Sequence, residues 1–160
     1  MKPVNTVTYI PLHVAESFYS PRNMICLLEK GRVPLYSAKH LNYLRINVDD
    51  IEDYVDSSYD LFDHRHAQRI ISFCEALGKD QHLFVHCEAG ISRSAAVAKF
   101  LCDKMGFIHV PHNPSLFNFD GYNGHIYGVL CNAKAGKLYY DDRADGIFMG
   151  KVNQNFADIK

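Results

Sequence analysis

His82-Leu83-Phe84-Val85-His86-Cys87-Glu88-Ala89-Gly90-Ile91-Ser92-Arg93-Ser94 is the stretch on which the fold turns. Its first five residues have an apolar centre and read as a short strand. The Ala-rich run from Ser94 to Met105 reads as a helix stopped by Gly106. Upstream, Asp63 to Leu77 carries Ala67, Ile70, Ile71, Cys74 and Leu77 at helical spacing, with Asp63 as N-cap and Gly78 as the stop. Val4 to Ile10, Met24 to Leu28 and Leu41 to Val48 read as further strands. Strands alternating with helices predict a single-domain, three-layer α/β fold with a central, mostly parallel sheet flanked by helices. Such sheets bind ligands at loops leaving the carboxyl ends of strands, which is where Cys87 to Arg93 falls.

Downstream, Val110 to Asn123 is rich in Pro, Asn and Gly and reads as a structured loop, and His125 to Cys131 as a short final helix. The expected organisation is a main domain over 1–131 and a C-terminal extension over 132–160 packed on it. The extension is either a tail or a hairpin over Lys137 to Val152 turning at Asp145-Gly146.

A length of 160 residues suits one domain, and 48% hydrophobic with 22% charged residues is ordinary globular usage, which excludes disorder as the main state. The net charge of −1 provides no broad positive field for nucleic acid or an anionic membrane. Five cysteines, odd in number and without a CxxC pair, argue against a disulfide framework or a thiolate zinc site. The nine histidines match no ligand spacing, and the acidic run Asp49 to Asp60 lacks the glycine and terminal glutamate of a calcium loop. No metal or cofactor is expected. MKPVNTVTYI has no long apolar run, and no stretch approaches the roughly 18 residues of a membrane span, so a cytoplasmic protein is expected.

Between strand and helix, the Cys87–Arg93 loop has the makings of an anion cup. Successive backbone amides can turn inward to form a nest, with Gly90 supplying left-handed geometry at low cost. The following helix aims its dipole and unpaired N–H groups at the same point. Arg93 adds a planar fork that grips two oxygens of a tetrahedral anion. Each feature also favours a thiolate at Cys87, poised beneath a bound phosphorus atom for covalent catalysis.

The string His86-Cys87-x-x-Gly90-x-Ser92-Arg93-Ser94 resembles the signature of the cysteine-dependent protein tyrosine phosphatase superfamily, in its small dual-specificity branch, at all six named positions. The resemblance covers roughly Leu41 to Leu130 and is nearest to compact microbial and phage-encoded forms. It implies a phosphatase P-loop between a central strand and a helix. Cys87 would be the nucleophile, Arg93 the phosphate clamp, and the amides of Glu88, Ala89, Gly90, Ile91, Ser92 and Arg93 the oxyanion ligands. Ser94 would assist departure of the cysteine, and His86 would order the loop.

The family also uses an aspartic acid thirty to forty residues upstream as general acid. Asp50 fits best, ending the pattern Arg45-Ile46-Asn47-Val48, and Asp49 is the alternative one register step away. The implied activity is hydrolysis of phosphotyrosine, and of phosphoserine or phosphothreonine, in phosphoproteins through a phosphocysteine. Phosphate, sulfate or vanadate would occupy the loop. The implied location is the cytoplasm, that of a host if the protein is phage-encoded. Alternatives with the same loop are a phosphoinositide or RNA 5′-triphosphate phosphatase, or a phosphoprotein-binding module without turnover. The absence of lysines from the loop weighs against the polyanionic substrates.

Overall fold

The computed structural model describes residues 4–116 and 118–137. Five strands, β1 (Thr6–Ile10), β2 (Asn23–Leu28), β3 (Asn42–Asn47), β4 (His82–His86) and β5 (Ile108–His109), form one sheet in the order β3-β2-β4-β1-β5. Every pairing is parallel, so the sheet is wholly rather than mostly so. The helices are α1 (Leu12–Glu16), α2 (His64–Glu75), α3 (Arg93–Lys104) and α4 (Gly124–Lys134). The sequence patterning did not reveal α1 or β5, which are too short to show a period. α4 runs to Lys134, through the point where the sequence reading ends the main domain. The hairpin expected over Lys137 to Val152 lies, apart from Lys137, outside the described residues.

Alternation along the strands sorts side chains to two unlike sides. Val7, Tyr9, Ile25, Leu27, Ile46, Leu83 and Val85 join the main core with α2, α3 and α4. The alternate residues Ile10, Met24 and Phe84 meet Ala15, Phe18 and Tyr36 in a second, thinner cluster. α3 is buried almost throughout. Ala95, Ala96 and Ala98 are fully buried, which suits a helix wedged between the sheet and α4, because small side chains allow close approach. α2 begins as expected: Asp63 accepts from the Arg65 amide, and a reciprocal capping box joins Asp63 and His66. A parallel sheet brings the carboxyl ends of all strands to one rim, and the residues that follow them converge there.

Candidate active site

Pro11, Glu29, Val48 and Cys87 are the residues that follow β1, β2, β3 and β4 or lie one step beyond. Cys87 is almost sealed, 2% exposed, at the start of the expected loop. Its Sγ lies 3.2 Å from Ser94 Oγ and accepts the Gly90 amide at 3.3 Å. Both contacts offer a proton donor to the sulfur and would support negative charge there.

Gly90 has φ +74°, and a Cβ there would stand 2.3 Å from Pro11 N and 2.6 Å from the Ile10 carbonyl carbon. The obstruction is backbone, so any side chain would separate the loop from β1. The Leu12 amide also donates to Glu88 O at 3.1 Å, which ties the loop to the β1–α1 junction. Among the described residues, the amides of Glu88, Ala89, Ile91 and Ser92 donate to no protein acceptor. Ser92, the N-cap of α3, makes no side-chain cap, so the first turn of that helix also keeps donors facing the loop.

Arg93 opens α3 and is 5% exposed. Its Nη1 donates to Glu29 Oε2 at 3.1 Å and to Val48 O at 2.9 Å. Nε is buried and has no hydrogen-bond partner among the described residues. A buried cation must be paired, and Glu29 does this on one part of the fork. The unmet donor costs about 1–3 kcal/mol unless an acceptor reaches it, which a bound oxyanion would do. Glu29 escaped the sequence reading. The signal was available: it is the charged residue directly after a buried strand, at the rim where α/β sheets bind ligands.

The two candidate acids part company. Asp49 Oδ2 accepts the Asp60 amide at 2.7 Å, and the Asp49 amide donates to Asp60 O at 2.9 Å, so Asp49 closes the base of the 49–60 loop. Asp50 turns toward the cup, where its Oδ1 accepts from Ser92 Oγ at 2.7 Å and from Asn123 Nδ2 at 2.9 Å. Oδ2 of Asp50 has no partner among the described residues. Asn123, also missed from sequence, caps α4 through the Ile126 amide and donates its own amide to Ser92 O, fixing acid, loop and helix together.

His86 lies behind the loop, fully buried. Burial pushes its imidazole down to about 4, so the ring is neutral near pH 7. Its Nδ1 faces Cys87 O at 3.2 Å and must donate, which leaves Nε2 to accept from Tyr36 Oη at 2.5 Å. Burial holds the Tyr36 phenol far above its ordinary range, in keeping with a donor role. Glu88 points away from the cup, held by Arg32 through Nε at 2.8 Å and Nη2 at 3.2 Å, and this pairing keeps its carboxyl below the usual range.

Burial raises the thiols of Cys26, Cys74 (to about 12) and Cys102 (to about 11), as expected of packing residues. Among the described residues no cluster of three or more His, Cys, Asp or Glu side chains is arranged for a metal, and no helix is long and apolar enough to cross a membrane. Comparisons with protein-family models, curated proteins and solved structures give no match.

Proposed function

We propose that the protein is a cysteine-dependent phosphatase that hydrolyses phosphomonoesters of phosphoproteins through a phosphocysteine. One observation carries the reading: a buried guanidinium, tied through Nη1 to Glu29 and Val48 with Nε unpaired among the described residues, on a loop whose cysteine sulfur accepts the Gly90 amide and meets the Ser94 hydroxyl. This pairs a tetrahedral-anion clamp with a nucleophile.

In the first step the Cys87 thiolate attacks phosphorus. The S–P bond forms as the ester P–O bond breaks, and protonated Asp50 gives its proton from Oδ2 to the departing oxygen. In the second step water attacks phosphorus and Asp50 takes its proton. The P–S bond breaks, and the Ser94 hydroxyl donates to the returning thiolate. Arg93 and the loop amides hold the equatorial oxygens throughout. Arg32 occupies the Glu88 carboxylate, so the mouth offers no spare pair of cations for a polyphosphate, which favours a monoester on protein.

Hydrolysis of p-nitrophenyl phosphate by the purified chain tests the reading. Wild type releases nitrophenolate in the presence of EDTA, whereas Cys87→Ser releases none yet retains a phosphotyrosyl peptide on a column. Turnover by Cys87→Ser would overturn the covalent mechanism. Parallel assays on phosphotyrosyl and phosphothreonyl peptides, a phosphoinositide and an RNA 5′-triphosphate then rank the substrates.

A further inference from the structure

On the thin side of the sheet, beside edge strand β3, the segment between β2 and β3 borders an open cavity of about 460 Å³ whose walls include Tyr36, Ala38, Lys39, Tyr43 and Arg45. This volume is within the roughly 300–1,000 Å³ of small-molecule sites. The body of the wall is apolar and aromatic. Tyr36 stands edge-on to Tyr43 at 5.6 Å and to His40, a further wall residue, at 4.6 Å. Val33, at this wall, is 65% exposed. The charged part is cationic: the Lys39 ammonium has no partner among the described residues, and no carboxylate lines the cavity. His40 Nδ1 accepts the Arg22 amide at 3.3 Å, which fixes its ring in the wall. An apolar body with an unpaired ammonium at its edge fits an aromatic anion.

Two chains of contact run from these walls to the loop. Tyr36 Oη donates to His86 Nε2, and His86 Nδ1 donates to the Cys87 carbonyl. Arg45 Nη2 donates to Glu29 O at 3.1 Å, and the Glu29 carboxylate holds Arg93 Nη1. We propose that this cavity is a second ligand site, taking a small aromatic anion, and that its occupation alters oxyanion binding at the Cys87–Arg93 loop through Tyr36–His86 and Arg45–Glu29. The coupling rests on the phosphatase reading of the loop, and the site itself does not. Coupling between two ligands is reciprocal, so it can be read from either one.

The test is a fluorescence titration of the full chain with 8-anilinonaphthalene-1-sulfonate, an aromatic sulfonate that brightens in apolar surroundings. Saturable one-to-one binding is expected, weakened about tenfold by Lys39→Ala through loss of a charge-assisted contact. Ala38→Phe, which fills the cavity, should abolish it while thermal unfolding stays as in wild type. Saturating orthovanadate should shift the dye's affinity about fivefold or more. Tyr36→Phe should keep the binding and reduce that shift. Absence of saturable binding, or binding indifferent to both Lys39→Ala and Ala38→Phe, overturns the site. Measurable vanadate binding that leaves the dye's affinity unchanged overturns the coupling. Failure of vanadate to bind at all would strike the phosphatase reading, while the two cavity variants still decide the site.

Discussion

The two sides of the sheet are built for different tasks. On one side α2, α3 and α4 seal an apolar core that includes Leu83 and Val85 of β4. On the other, the alternate β4 residues His82, Phe84 and His86 lie under one short helix and a loop, among Tyr36, Met24 and Phe18. Fully burying one large apolar side chain is worth about 1.5–3 kcal/mol, so stability is concentrated on the helical side. The thin side carries hydrogen-bonded, titratable groups that touch the loop. One strand thus serves both, by a period of two.

If this division holds, damage at the rim should stop turnover and spare stability. Asp50→Asn should lower kcat by about 10²–10⁴-fold and flatten the basic limb of the pH–rate profile, because that limb reports loss of the proton the acid must donate. Asp49→Asn should keep the limb and loosen the 49–60 loop instead. A flattened limb in Asp49→Asn would exchange the two roles. Arg93→Lys should cost about 10²–10³-fold in kcat, since a point charge cannot serve Glu29 and two phosphate oxygens at once. Retention of more than half the activity would remove Arg93 from the clamp.

On the helical side, Phe100→Ala should destabilise by about 3–5 kcal/mol in chemical denaturation. At a temperature where it remains folded, kcat should stay near wild type. A fall matching that of Arg93→Lys would break the comparison. The thin side should instead show itself in acid. The His86 imidazole takes up a proton near 6.5 when unfolded but only near 4 when folded, so protons favour unfolding between those values. Stability should be complete above pH 6.5 and fall by on the order of 3 kcal/mol toward pH 4. His86→Gln should remove most of that slope. An unchanged slope would move the titration to His40, His66 or His82, whose imidazoles burial also lowers.

Much of this was legible in the sequence because the chemistry sits in one contiguous string. Cys87, Gly90, Arg93 and Ser94 meet through local backbone alone, between a strand and a helix whose periods are plain. Glu29, Tyr36 and Asn123 reach the site across the fold, and only the tertiary arrangement brings them near. The sequence favours Asp50 over Asp49 only by its place after a strand pattern, because the choice depends on which carboxylate the Asp60 amide captures, a contact eleven residues away. Asn123 closes a stretch that reads as a loop, and its hydrogen-bonding groups are spent on Asp50, Ile51 and Ser92 as well as on the Ile126 amide, which no local rule foretells.

The lack of room for a Cβ between Gly90 and Pro11 seats the loop directly on the β1–α1 junction. In the proposed phosphatase, a cup held by main chain in this way should keep one shape throughout the cycle. It would then accept inorganic phosphate as well as ester, and accumulating product should act as a competitive brake.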